Sequence, residues 1–291
     1  MEGLTHQSWL MHFVSRSARR APLGLARPVA ALFFAATLAF GLPAPAVAAT
    51  VLLDDLTWTE LRDAIRAGST TVILPVGGTE QSGPHMALGK HNVRAAVLSA
   101  RIADKLGNEL VAPVIAYVPE GRISPPAGHM RFPGTISVPE DAFAGIVAGA
   151  ARSLRQAGFL DIVLIGDHGG YQDQLRGLAQ RLDKEWAGSR VRVHFIAAYY
   201  RTASDGFNQV LLAKGLTDAQ IGVHAGAADT SLMLAVDPSR VRSDRMQPGS
   251  EAATGVVGDP SRASATLGKI GVDMTVDQTV EAIRQALRDR H

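Results

Sequence analysis

The sequence predicts an α/β protein with a mostly parallel sheet and helices on both faces. Short, nearly all-apolar runs such as residues 71–76 (TVILPV) and 159–165 (FLDIVLI) have strand length and the composition of strands covered on both sides. Between them lie segments whose apolar residues recur at helical spacing. Strand and helix in turn imply parallel strands joined by crossover helices. The 291 residues show no internal repeat and no linker long enough to divide them, and 46% hydrophobic with 19% charged is a globular composition.

Residues 1–48 stand apart. Arg16, Arg19, Arg20 and Arg27 precede an apolar stretch at 29–42, and small residues and prolines lead to Ala46-Val47-Ala48. This is the basic, apolar and A-x-A order of a secretory signal peptide. The apolar stretch falls short of the roughly 20 residues of a permanent span. Cleavage after Ala48 is expected, by the general or the twin-arginine route, with an uncleaved anchor as the alternative. Residues 49–291 then form one catalytic domain, periplasmic or secreted, with no stable membrane span. The formal charge of +2 is carried by this segment, which holds four arginines and one acid, so the remainder is near neutral. No basic stripe is left for nucleic acid. With no cysteine, any metal must be held by imidazole nitrogen and oxygen.

The elements follow in order. Thr57-x-x-Glu60 is a capping box, with Leu61, Ala64 and Ile65 on one face and Gly68 as a stop. After strand 71–76, Asn92 is placed to cap a helix through Leu106, with Val93, Ala96, Val97, Ala100 and Ile102 in helical spacing. Residues 110–115 read as strand, with Pro113 marking an edge or bulge. Residues 117–138 are loop. Residues 140–157 form a helix with Phe143, Ile146, Val147, Ala150 and Leu154 on one stripe. Strand 159–165, a polar helix at 173–186, strand 191–199 and a small-residue helix at 225–236 follow. Thr275-x-x-Gln278 is placed to cap a last helix carrying Val276, Val280, Ile283 and Leu287.

In such sheets function gathers in loops at the carboxyl ends of strands. One such loop runs from Gly77 to His91 and a second is Asp167-His168-Gly169-Gly170, while a third, His224 to Asp229, leads into the small-residue helix. Of nine histidines, His85, His91, His129, His168 and His224 lie in Gly/Pro-rich loops. Neutral imidazoles with a carboxylate such as Glu80 make a typical zinc or iron ligand set. Spacing alone is a modest signal, because there is no His-Glu-x-x-His and no histidine pair four apart. Singly, each histidine reads as a hydrogen-bonded loop or core residue and Glu80 as a cap. Convergence on one edge of one sheet gives them their weight.

Four stretches, LPVGGTEQSGPHMALGKH (74–91), HMRFPGTIS (129–137), GFLDIVLIGDHGG (158–170) and HAGAADTSLMLAVDPSRV (224–241), resemble the creatininase family of creatinine amidohydrolase-like metal hydrolases. The likeness runs from roughly residue 52 to 245, in order. It implies a three-layer α/β/α sandwich, a site at the sheet's carboxyl edge, usually two divalent metals, and a ring-like homohexamer. The implied reaction is hydrolysis of a C–N bond in a small amide, often cyclic. Carried over by position, Glu80 and His168 are metal ligands and His224 is the proton-shuttling histidine. The second metal's histidine falls on Ser82, the bridging carboxylate on His91, and the second metal's glutamate on Gly170 or Ala227. The family's Glu-Thr-Ser becomes Asp229-Thr230-Ser231.

A carboxylate has two oxygens and bridges two cations, whereas one imidazole nitrogen binds one. These departures predict a single metal, held by Glu80, His91 and His168 with an open fourth position. Zn2+ is expected, with Mn2+ and Fe2+ as alternatives. The positive end of the helix after His91 is expected to keep that ring neutral. His224 or Asp229 would move the proton, and the backbone N–H groups of Gly169 and Gly170 would steady an oxyanion. His85 supports from outside the ligand shell, His129 shapes the substrate loop, and Ser82 belongs to the same outer set. Met130, Met233, Met246, Trp186, Tyr199 and Tyr200 read as packing or interface. A lactone or ester hydrolase and a non-catalytic exported metal- or ligand-binding protein are the competing readings.

Overall fold

Two central strands with alternating faces organise the molecule. The computed structural model describes residues 50–289, so the expected signal peptide at 1–48 and its expected cleavage after Ala48 lie outside the described residues. Helix α1 (Trp58–Arg66) begins at the predicted capping box, where the Thr57 side chain accepts the Glu60 N–H and the Glu60 side chain accepts the Thr57 N–H. Strand β1 (Thr71–Val76) leads through a loop to α2 (Lys90–Leu106) and β2 (Glu109–Val111). After the long loop come α3 (Glu140–Ala157), β3 (Asp161–Gly166), α4 (Gln172–Glu185) and β4 (Arg192–Phe195). Helices α5 (Ala197–Arg201), α6 (Phe207–Ala213), α7 (Asp218–Ile221), α8 (Ala227–Val236), α9 (Glu251–Thr254) and α10 (Ala265–Arg288) complete the chain.

The strands lie in the order β2-β1-β3-β4, all parallel, and β1 and β3 are buried at every position. Val72, Leu74, Val76, Ile162 and Leu164 turn to one face, against Phe143 and Val147 of α3 and Leu175 and Leu182 of α4. Ile73, Val163 and Ile165 turn to the other, against Ile102 of α2, Leu232 of α8 and Val276 and Ile283 of α10. Each fully buried aliphatic side chain contributes roughly 1.5–3 kcal/mol, so a period-two strand between two helical layers stabilises the fold from both sides. This is the predicted α/β/α sandwich. Among the described residues no helix is long and apolar enough to cross a membrane.

Four local readings change. Helix α2 starts two residues before Asn92, whose side chain instead braces the β1 loop: Oδ1 accepts the Gly78 N–H at 2.9 Å and Nδ2 donates to Thr79 Oγ1 at 3.0 Å. Strand β2 stops at Val111, and beyond Pro113, which has no N–H to give, an isolated bridge joins Val76 to Ile115. Strand β4 ends at Phe195, and the chain turns into α5, which carries Tyr199 into the interior. Helix α10 is capped by Ser264, whose side chain accepts the Leu267 N–H. Thr275 lies inside it, fully buried, donating to the Gly271 carbonyl at 2.8 Å. A Thr-x-x-Gln inside a helix has the same spelling as one at its start.

β1 connects to β2 on one side, and the chain then crosses to β3 on the other side of β1. The carboxyl ends of β1 and β3 are therefore a topological switch point, where a crevice opens in α/β sheets. Glu80 and His91 follow β1, and Asp167 and His168 follow β3.

Candidate metal centre

Backbone ties hold the two strand ends together before any catalytic side chain is placed. The hydroxyl of buried Tyr171 sits between the carbonyls of Val76 and Gly77, at 2.8 and 2.6 Å, and accepts the His168 N–H at 3.0 Å. This fixes His168 against the loop that carries Glu80.

Glu80 is the hub. Its side chain is fully buried, and Oε1 faces His91 Nε2 at 2.7 Å, Lys90 Nζ at 3.4 Å and His224 Nδ1 at 3.7 Å. Oε2 has no hydrogen-bond partner; His168 Nε2 stands 3.6 Å away and His129 Nε2 3.9 Å away. Burial pushes the Glu80 carboxyl up, but Lys90, His91 and His168 together outweigh it and hold it well below the usual range.

His91, at the second position of α2, spans two carboxylates. Its Nδ1 lies 2.6 Å from Asp167 Oδ1, opposite the contact of Nε2 with Glu80. A carboxylate behind a ligating imidazole fixes the ring and raises its basicity as a ligand. Asp167 is itself held by Arg94, at 2.6 Å, and by the Tyr199 hydroxyl at 2.7 Å. Burial pushes Asp167 up, yet Arg94 and His91 bring it down to about 2. These side chains, more than the helix end, define the surroundings of His91.

His168 follows β3, with its Nδ1 accepting the Gly170 N–H at 3.1 Å, which turns Nε2 toward the carboxylates. That bond takes the Gly170 amide out of the oxyanion role expected of it. Burial, reinforced by His91, lowers the His168 pKa to about 4. A neutral imidazole is a competent metal ligand.

One ligand atom from each of Glu80, His91 and His168 lies within 4.8 Å of the other two. A second group, Glu80 with His129 and His224, meets the same test. The buried, unpartnered Oε2 between facing imidazoles fits a cation. Glu80, His91 and His168 line a cavity of about 260 Å³ that also presents Lys90, Arg94, His224 and Asp229.

His224 stacks on His129 with ring centroids 4.1 Å apart, and its Nε2 donates to the Gln81 carbonyl at 2.8 Å, leaving Nδ1 toward Glu80. Burial and then Lys90 lower its pKa to about 3. The next residue, Ala225, has φ +55, rare for a side chain with a Cβ, and its N–H is taken by Asp229 Oδ2 at 3.0 Å. Asp229 also holds Lys90 at 2.8 Å and Arg94 at 2.7 Å. Burial pushes it up, but Lys90 and Arg94 keep it well below the usual range.

The remaining predicted residues stand outside the ligand atoms. His85 Nε2 donates to Thr230 Oγ1 at 3.0 Å. Ser82 is buried and bridges to Met86 in a short β-like contact, with its hydroxyl unpartnered. His129 Nδ1 accepts from the Gln81 side-chain amide at 2.6 Å, and its carbonyl accepts from Thr135, so it does shape the loop. Gly169 admits the Tyr200 hydroxyl, which would lie 2.5 Å from an added Cβ.

Sequence reasoning gave no role of their own to Lys90, Arg94, Asp167, Gln81 and Glu120. Lys90, His91 and Arg94 share one helical face, so a charged cluster on the inward side of α2 was a readable signal. Glu120, in the loop over the site, has no such signature. Its side chain is fully buried, both oxygens lack a partner, and Oε2 lies 3.5 Å from His168 Nε2. Burial and the neighbouring Glu80 push its pKa up to about 9.

Comparison with known proteins follows the same lines. The chain is 27% identical to the creatinine amidohydrolase of Pseudomonas putida over 257 residues, covering 81% of this chain and 97% of that protein. It is 28% identical to the mycofactocin precursor peptide peptidase of Mycobacterium ulcerans over 240 residues, 73% of this chain and 84% of that one. The family profile for creatininase, described as creatinine amidohydrolase, matches residues 54–283. The chain belongs to the creatininase family. A solved manganese creatininase superposes with a TM-score of 0.66 at 28% identity, covering 81% of this chain and 98% of that one. A zinc–zinc form of a mutant creatininase gives 0.65 at 27% identity, over 81% and 98%. The creatininase family is one of metal-dependent amidohydrolases, and in this chain the candidate ligands sit at the sheet edge where its four motifs converge.

Proposed function

We propose that this protein is an exported hydrolase that cleaves a C–N bond of a small amide, cyclic or linear, with one divalent metal held by Glu80, His91 and His168. The observation that carries the reading is the convergence of one ligand atom from each of Glu80, His91 and His168 to within 4.8 Å of one another, with Glu80 Oε2 left unpartnered, beside a cavity sized for a small molecule. Zn2+ is the first candidate, and Mn2+ or Fe2+ the next. A single metal is favoured by Lys90. Its ammonium stands 3.4 Å from Glu80 Oε1 and already supplies positive charge to the cluster, and the positions of the family's second-metal histidine and bridging carboxylate fall on Ser82 and His91.

A divalent ion in this shell supplies Lewis-acid polarisation of the scissile carbonyl and activation of water. The protein's own groups do the rest. His224 is neutral, is oriented by the Gln81 carbonyl and offers Nδ1 to the cavity, so it accepts the proton from the attacking water and returns it to the leaving nitrogen. Asp229, locked between Lys90, Arg94 and the Ala225 N–H, positions those cations instead of carrying a proton. The stacked His129 covers His224 on one side.

Export with cleavage after Ala48 and assembly into a homohexamer belong to the same proposal, and are checked by intact mass and light scattering of the exported chain. The peptidase relatives extend the substrate panel to short peptides. The test is hydrolysis of creatinine, lactams, lactones and short peptides by the metal-loaded protein and by His224→Asn. At least one amide should be turned over, with kcat falling about 10²–10⁴-fold in the variant while bound metal is retained. Turnover of lactones alone, or of nothing, contradicts the reading, the latter in favour of a binding protein.

A further inference from the structure

The carboxylates around the cavity do not balance. Asp167 is neutralised by Arg94, and Asp229 by Lys90 and Arg94. Glu80 and Glu120 remain, their side chains fully buried, with Lys90 at 3.4 Å from Glu80 as the shared remnant of positive charge. Three of their four oxygens, Glu80 Oε2 and both of Glu120, have no hydrogen-bond partner. Buried carboxyl oxygens left without a hydrogen-bond partner are costly, and a shared cation would satisfy them. Glu120 is nevertheless held in place. Its N–H and that of Gly121 donate to Ser137 Oγ, at 3.0 and 3.2 Å, and Ser137 donates back to the Gly121 carbonyl at 2.8 Å. Opposite, Gly78 leaves room for the carboxyl, since a Cβ there would lie 2.5 Å from Glu120 Oε1.

We infer that Glu120 is a further ligand of the divalent ion, completing a shell of two carboxylates and two imidazoles. The inference rests on the metal reading of the preceding subsection. Oε2 stands 3.5 Å from His168 Nε2, the same nitrogen that faces the empty-handed Glu80 Oε2 at 3.6 Å, so one cation at this point satisfies both orphans. Nothing in the loop motif assigns Glu120 this role. Its arrival from a segment far from the other ligands in sequence closes the shell over the top of the sheet edge. The second carboxylate also adds a hard oxygen donor, which favours ions that accept five or six ligands, Mn2+ among them, as well as Zn2+.

The test compares wild type, Glu120→Gln, Glu120→Asp and His168→Ala by chelator competition with Zn2+ and Mn2+, and by visible spectra of the Co2+ forms. Thermal melts without metal run alongside. Glu120→Gln should weaken binding about 10–100-fold and intensify the Co2+ bands as coordination number falls. Glu120→Asp should recover part of the affinity. Without metal, Glu120→Gln should melt no lower than wild type, because an unpaired buried acid is gone. Unchanged affinity and spectrum in Glu120→Gln, with binding lost in His168→Ala, overturn the role of Glu120 alone. No binding by wild type, or full binding by His168→Ala, overturns the metal reading and this inference with it. A metal-free Glu120→Gln that fails to fold also overturns it, since the group would then be structural.

Discussion

At the level of single residues, burial and charge pairing set the behaviour of the polar groups, with Glu80, Asp167 and Asp229 each facing several partners. His85 shows how that shapes pH behaviour. It is buried, and burial followed by the nearby Lys90 lowers its pKa to about 4, while an unfolded histidine titrates near 6.5. The unfolded chain therefore takes up a proton in that interval that the folded chain refuses. Its contribution to stability is complete above pH 6.5 and is lost as pH falls toward 4. Thermal melts from pH 7 to 4 should show a falling Tm, and His85→Gln, which keeps a donor for Thr230, should fall less steeply. Equal slopes would remove His85 from the account. The grouping of Glu80, His91 and His168 was legible because motif order ties them to strand ends. Glu120 was not, because its partnership with His168 depends on how the loop at 117–138 folds back, and no local spacing encodes that.

Among the elements, β1, β3 and α3 follow directly from composition, since an all-apolar six-residue run or an amphipathic stripe allows one packing. Even there the α3 stripe is rotated: Ala148 and Ala151 are buried and Ile146 is exposed. The chain after β4 was harder to read, because Tyr199 is pulled inward by its bond to Asp167 and the helices from α5 to α7 are short. The contact of α10 with α8 depends on a close approach. An added Cβ at Gly268 would lie 1.7 Å from the Ser231 carbonyl oxygen, a collision with backbone that no rotamer relieves. Gly268→Ala should therefore cost about 1–3 kcal/mol by denaturant unfolding and loosen the helix that carries Asp229. A neutral result would mean that α10 shifts freely and does not hold α8.

For the whole molecule, the sheet places its switch point under one buried cluster, and the rest of the fold supports that placement. The basic isoelectric point near 9.1 describes the whole chain, whereas residues 49–291, which carry the cluster, are near neutral. The fold class and the edge that bears the site were readable from strand–helix alternation. The charge balance inside the cavity was not, because it sums side chains from five segments that meet only in three dimensions. That balance leaves two buried carboxylates facing imidazoles, and it makes one bound divalent ion the central claim. The most direct measurement is metal content of the purified protein by mass spectrometry, for wild type and His168→Ala. The account predicts about one divalent ion per chain in the wild type and a loss of most of it in the variant. Two ions per chain, none, or an unchanged content in His168→Ala would contradict it.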